Sequence, residues 1–225
     1  MRHAPVLRPA VVAALAGLAA TAVAAPAPPL SVAALRCEYK VDPLGIDVLA
    51  PRFSWQVRSA ARGVVQSAYR LEVTRDGRRV WDTGKVASDR SVHVPYGGPA
   101  LVSSGRYAWR VRAWDGAGRP TAWSAPARFE MGLLSPADWT ARWIEAAQDE
   151  GAKSSQPAPM LRGSFTVKGA VKAARAYVTS LGLYEMEING RRVGTERMTP
   201  GWTSYGKRLQ YQTYDVTSHL RPGEN

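Results

Sequence analysis

Two glutamates, Glu185 and Glu187, are the pair in this 225-residue sequence most suggestive of acid–base chemistry. Strand residues two apart project from one face at roughly 6–7 Å, near the separation an inverting glycoside hydrolase needs between its carboxyls. The competing reading is plainer. Tyr184, Met186 and Ile188 alternate with them, so the glutamates form the wet face of a half-buried strand. Nothing adjacent would raise one carboxyl's pKa and leave the other's low, as a division into acid and base requires. No catalytic residue is assigned. A second set, Trp202, Tyr205 and Tyr211, lies near Lys207 and Arg208. Rings with an apolar body and a polar tip suit a wet sugar-recognition surface, and these three are the candidate carbohydrate contacts.

Other chemistries find no support. Cys37 is the only cysteine, and reads as a small buried hydrophobe rather than a nucleophile. His93 and His219 stand far apart, so no transition-metal site is expected. There is no glycine-rich phosphate loop and no nucleophile elbow. No cofactor is expected.

The elements that would position the aromatic set are strands and turns. Asn189-Gly190 fits a two-residue type I′ hairpin turn, in which both positions need positive φ. Thr199-Pro200-Gly201 predicts a second turn, and Gly182 a bulge interrupting the strand from Ala174 to Leu181. Upstream, Phe53, Trp55 and Val57, then Tyr69, Leu71 and Val73, then Tyr107, Trp109, Val111 and Ala113 each alternate with polar or small residues. About seven short strands at this spacing indicate a β-sandwich. Trp55 and Trp109 face inward in that pattern. The connector carries Trp139, Trp143 and Ile144 as anchors and a helical turn start at Ser135-Pro136-Ala137-Asp138.

The expected organisation is all-β with two sandwich domains. Residues 1–24 read as a signal peptide: Arg2 and Arg8, an apolar run from Val11 to Ala20, then Ala22-Val23-Ala24 as the cleavage pattern. Residues 25–34 are a linker, 35–132 the first sandwich, 133–159 a connector, and 160–225 a second, incomplete sandwich. The chain closes on Arg221-Pro222-Gly223-Glu224-Asn225, a turn without a return strand, so further chain is expected beyond it. The signal implies a secreted or periplasmic protein with no membrane association after cleavage. The formal charge is +12. Its arginines (Arg70, Arg110, Arg112, Arg175) are scattered along strands as solvent-facing residues rather than clustered, which argues against nucleic acid as a partner.

The first sandwich resembles a fibronectin type III domain. The resemblance is carried by Leu101 and Tyr107, six apart, by Trp109-Arg110-Val111-Arg112-Ala113, and by Trp123-Ser124 ahead of Phe129. It assigns Tyr107 to a tyrosine corner, with its hydroxyl bonded to nearby backbone. Residues 176–225 resemble the N-terminal β-domain of bacterial α-L-rhamnosidases. The matching pieces run from Tyr177-Val178-Thr179-Ser180-Leu181-Gly182 through Tyr184-Glu185-Met186-Glu187-Ile188-Asn189-Gly190 and Pro200-Gly201-Trp202-Thr203-Ser204-Tyr205 to Tyr211-Gln212-Thr213-Tyr214-Asp215-Val216-Thr217. Asp138-Trp139-Thr140-Ala141-Arg142-Trp143-Ile144 fits as the connector. This resemblance implies a jelly-roll-like second sandwich and an accessory N-terminal part of an exported enzyme. That enzyme would hydrolyse terminal α-L-rhamnosides with inversion, on a glycoside or polysaccharide substrate. Its acid and base would lie on a downstream (α/α)6 barrel of the same chain, so these 225 residues alone would be inactive. The alternative is a stand-alone carbohydrate-binding or adhesion module.

Overall fold

The computed structural model describes residues 30–147, 154 and 157–225. The expected signal peptide, the first half of the linker and part of the connector loop lie outside these residues. The described residues are strands, turns, irregular loops and two short 3₁₀ segments, with no α-helix among them.

The first unit has eight strands: β1 (Ser31–Cys37), β2 (Arg52–Arg58), β3 (Gln66–Arg75), β4 (Arg78–Asp82), β5 (Val86–Ala87), β6 (Val94–Pro95), β7 (Arg106–Asp115) and β8 (Ala127–Glu130). They form one antiparallel sheet in the order β1-β2-β6 and another in the order β4-β3-β7-β8, with β5 also on β3. β1 starts at Ser31, upstream of the expected domain start at Leu35. The period-2 pattern decides which face is inside. Phe53 and Trp55 from β2 meet Leu71 and Val73 from β3 and Trp109 and Val111 from β7 in one continuous core. Phe53 lies 4.6 Å from Trp109 between ring centroids, and Phe129 stacks on Tyr107 at 5.0 Å. Cys37 is buried in the same core and reduced. Burial, then the neighbouring Glu38 charge, pushes its thiol up to about 12, so it stays protonated and inert. The Tyr107 hydroxyl accepts a 3.1 Å hydrogen bond from Val102 N, closing the expected corner.

The second unit is lighter. Its strands are β9 (Thr166–Val167), β10 (Arg175–Val178), β11 (Glu187–Ile188), β12 (Arg191–Arg192), β13 (Gln212–Asp215) and β14 (Gly223–Glu224). They pair as three two-stranded antiparallel sheets, β9 with β14, β10 with β13 and β11 with β12. Val193, Tyr214 and Val216 make its small core, with Met186, Ile188 and Val178 packed against them. Asn189 and Gly190 both take positive φ, 53° and 70°, as the type I′ turn requires. Gly201 takes φ 107° after a cis Thr199–Pro200 bond.

Three local expectations change. The end of the chain is not a turn without a partner, because Gly223–Glu224 pairs with β9 and Asn225 exchanges backbone hydrogen bonds with Phe165. Gly182 is not a bulge inside a strand: β10 ends at Val178, and Gly182 sits in the following bend. The physical reason is that β10's partner, β13, begins at Gln212 opposite Val178, so the ladder ends there. In the connector, Pro136–Asp138 is the expected helical turn, with Ser135 and Asp138 capping each other. Only Trp139 of its anchors docks, while Trp143 and Ile144 are exposed.

Candidate functional site

The aromatic loop is built from the Thr199–Pro200–Gly201 turn outward. Tyr184 N donates to Thr199 O, and the Thr199 hydroxyl returns a bond to Tyr184 O at 3.0 Å. Gln212 Nε2 donates to Pro200 O, tying the turn to β13. Beyond it the loop bonds to itself, with Lys207 N and Arg208 N both donating to Ser204 O and Thr203 Oγ1 donating to Arg208 O. This braced loop leaves Trp202 85% exposed. A large ring held out on a well-bonded loop has no packing role to account for it.

The other two predicted contacts lie differently. Tyr205 is half-buried, and its hydroxyl accepts from Gly182 N at 3.0 Å, so it holds the loop to the bend after β10. Tyr211 points to the first unit. Its hydroxyl accepts from Leu133 N at 2.9 Å, and Trp139 meets its ring edge-on at 5.1 Å. Burial pushes the Tyr211 phenol up, outweighing the Leu133 bond that favours the anion. The structure therefore does not gather the three rings on one open surface. Trp202 alone is freely presented.

Glu185 and Glu187 are both exposed, on the wet face of the hairpin. Glu185 is paired with Arg192 at 2.8 Å and approached by Arg197 at 3.9 Å. Glu187 lies directly opposite Arg192 in the β11–β12 ladder. Neither carboxyl is desolvated, so the hairpin offers no environment for proton transfer. Among the described residues no group of His, Cys, Asp and Glu could hold a metal ion.

What the sequence pattern missed is the joint between the units. Arg175, expected to face solvent, has a side chain only 14% exposed and grips Glu130 with two parallel bonds of 2.8 and 2.9 Å. Glu130 is 5% exposed, and Asp215 meets Arg175 on its other side at 3.0 Å. The Asp215 carboxyl, although raised by burial, is held below its ordinary value by Thr217 and Arg175. Ser104 Oγ and Tyr177 Oη share a 2.7 Å hydrogen bond across the same seam. Gly45 and Gly132 make room: a Cβ on either would collide with Thr213 or the Tyr211 hydroxyl. Glu130 and Arg175 are 45 positions apart and carry no local signal of partnership.

With this geometry the comparisons to known proteins agree domain by domain. Residues 32–135 match the family model described as Rha78A-like, N-terminal immunoglobulin domain. Residues 169–225 match the one described as α-L-rhamnosidase N-terminal domain. An α-L-rhamnosidase of Formosa agariphila is 35% identical over 196 residues, covering 82% of this chain and 21% of that protein. One from Alteromonas sp. (strain LOR) is 37% identical over 198 residues, covering 82% and 22%. Among solved structures, the α-L-rhamnosidase from Dictyoglumus thermophilum superposes with a TM-score of 0.77 at 36% identity, over 87% of this chain and 24% of that one. The Aspergillus terreus enzyme gives 0.76 at 35%, over 87% and 23%. The chain thus spans only about a fifth to a quarter of the relatives' length. Its two units match, in sequence order, an N-terminal immunoglobulin-domain model and the α-L-rhamnosidase N-terminal domain model, and the chain belongs, as an N-terminal region, to the α-L-rhamnosidase family.

Proposed function

We propose that these residues are the accessory N-terminal part of an exported α-L-rhamnosidase. The enzyme removes terminal α-L-rhamnose from glycosides or polysaccharides with inversion, and its acid and base stand on a further helical barrel. The observation that carries the reading is the pair of domain matches in sequence order, combined with relatives of 35% and 37% identity that bear this activity in their names. The exposed, ion-paired state of Glu185 supports placing the chemistry elsewhere. Export rests on the Arg2-to-Ala24 pattern. The fibronectin type III variant of the immunoglobulin-like fold is supported by β4 joining the β3-β7-β8 sheet rather than the β1-β2-β6 sheet. Within the enzyme, this part would hold Trp202 toward substrate or toward the catalytic domain, with Tyr205 and Tyr211 fixing the loop and its seat.

The test is an aryl α-L-rhamnoside assay on two proteins. The 225-residue chain should show no turnover, and the chain extended to the relatives' length should hydrolyse it. Turnover by the short chain would sink the placement of the chemistry. The exposure of Trp202 favours one second reading, a stand-alone carbohydrate-binding or adhesion module. An inactive extended protein that still bound a rhamnose-containing glycan through Trp202 would select it.

A further inference from the structure

The outer face of the larger sheet in the first unit has a layered charge arrangement that the accessory role leaves unused. Glu72 and Asp82 lie low in it, with side chains 6% and 21% exposed. Three guanidiniums cover them. Arg70 reaches Asp82 at 2.6 Å and Glu72 at 3.2 Å, Arg110 reaches Glu72 at 2.7 Å, and Arg79 reaches Asp82 at 3.1 Å. These arginines are 34%, 44% and 57% exposed, so solvent meets the cations more than the acids.

Arg112 adds a fourth cation with no ion pair to any described residue, and its Nε is buried without a hydrogen-bond partner. It stands directly opposite Arg70 in the β3–β7 ladder. Like charges so placed oppose sheet pairing. Trp123 relieves part of that cost, with Arg110, Arg112 and Arg70 over its ring at 4.4, 4.6 and 5.7 Å, so these three arginines, expected to lie scattered, are clustered by the β3–β7 pairing. The ring is fixed there because Ser124 N donates to Val111 O and Thr121 N donates to Ala113 O, laying the segment along β7. Two residues further along the same face, Lys85 Nζ sits 4.9 Å over Trp114. Along this face of β7, two arginines that share Trp123 are followed by Trp114 with Lys85 over it, at roughly 6–7 Å per step.

We infer that this face binds an acidic polysaccharide, whose carboxylate or sulfate groups seat on Arg110, Arg112 and Lys85 beside Trp123 and Trp114. Guanidinium forks match planar and tetrahedral oxyanions in two-point contacts, and a row of them suits a linear polymer with repeating anions. That the polyanion is a glycan rests on the glycoside-hydrolase reading above. The anion site itself does not.

Affinity electrophoresis of the 225-residue chain in gels holding polygalacturonate, heparin or neutral dextran tests it. Retardation by either polyanion, lost at high salt and absent in dextran, is expected. Polygalacturonate alone assigns carboxylate, and heparin alone assigns sulfate. Arg112→Gln should weaken binding about tenfold, Arg112→Lys, which keeps the charge and loses the planar fork, should restore only part of it, and Arg58→Gln on the other sheet should change nothing. If Arg112→Gln lowers the melting temperature, Lys85→Gln carries the same expectation. No retardation in either polyanion, equal weakening by Arg58→Gln, or equal retardation by double-stranded DNA each overturns the site. Rhamnoside hydrolysis by the extended protein without polyanion binding would overturn this inference alone. Binding without hydrolysis would overturn only the enzymatic reading.

Discussion

Glu38 shows how one side chain ties together two strands of the first sandwich. It sits just past β1 and accepts from the backbone N of Arg52 at 2.6 Å and from its guanidinium at 3.0 and 2.7 Å. The Arg52 side-chain bonds are the main cause that holds the Glu38 carboxyl below its ordinary 4.5, against a smaller opposing effect of burial. A carboxyl depressed in the folded state stabilises it above the unfolded pKa, and that contribution fades as pH falls through the folded value. The expected outcome is that Glu38→Gln lowers stability by about 1 kcal/mol at neutral pH. The gap between variant and parent melting temperatures should close as pH drops below 4.5, measured by circular dichroism at a series of pH values. A gap that held constant into acid would mean the contact acts through shape and not charge. Residue-scale features of this kind were partly legible beforehand. Tyr107's corner follows from the resemblance to a fibronectin type III domain and Cys37's burial from its being a lone cysteine, whereas Glu38's partner lies on the neighbouring strand and had no sequence signature.

At the scale of elements, the β11–β12 hairpin is the best specified piece of the second unit. Alternation across Tyr184 to Ile188 sets its inner face, and Asn189-Gly190 sets its turn. Asn189 Nδ2 also donates to His219 O and to Asn225 Oδ1, so the turn anchors the closing segment. Gly190 at φ 70° meets nothing within 4 Å where a Cβ would be, so its substitution would cost backbone strain and not a clash. Gly190→Ala should destabilise the hairpin by about 1 kcal/mol. Hydrogen exchange should read this as faster exchange of the Val193 amide, which donates to Met186 O, with β3 and β7 amides unchanged. Strand lengths were less legible than turns. A hydrophobic pattern continues past the point where a partner strand ends, which is why the strand expected from Ala174 to Leu181 is only Arg175–Val178.

The whole molecule is joined by a seam that is polar at its centre. A buried carboxylate gripped by a guanidinium is costly to leave unpaired. Glu130→Ala would strand Arg175 beside Asp215 alone, and should lower stability by about 3 kcal/mol. A calorimetric scan should then separate the melting of the two units, because the Ser104–Tyr177 and Leu133–Tyr211 bonds share the same seam. A single unchanged transition would show that the ion pair contributes nothing to coupling. Three things were settled by the chain's own order of residues: the all-β class, two successive units, and membership in the rhamnosidase family. They depend on period-2 burial and turn chemistry, which act over a few neighbours, and on an ordered motif series. The seat of Tyr211 in the joint, the freedom of Trp202, the pairing of Gly223–Glu224 with β9 and the stacking of arginines on Trp123 were decided only in three dimensions. Each depends on residues eleven or more positions apart meeting in space, and no local propensity encodes which distant partner a side chain finds.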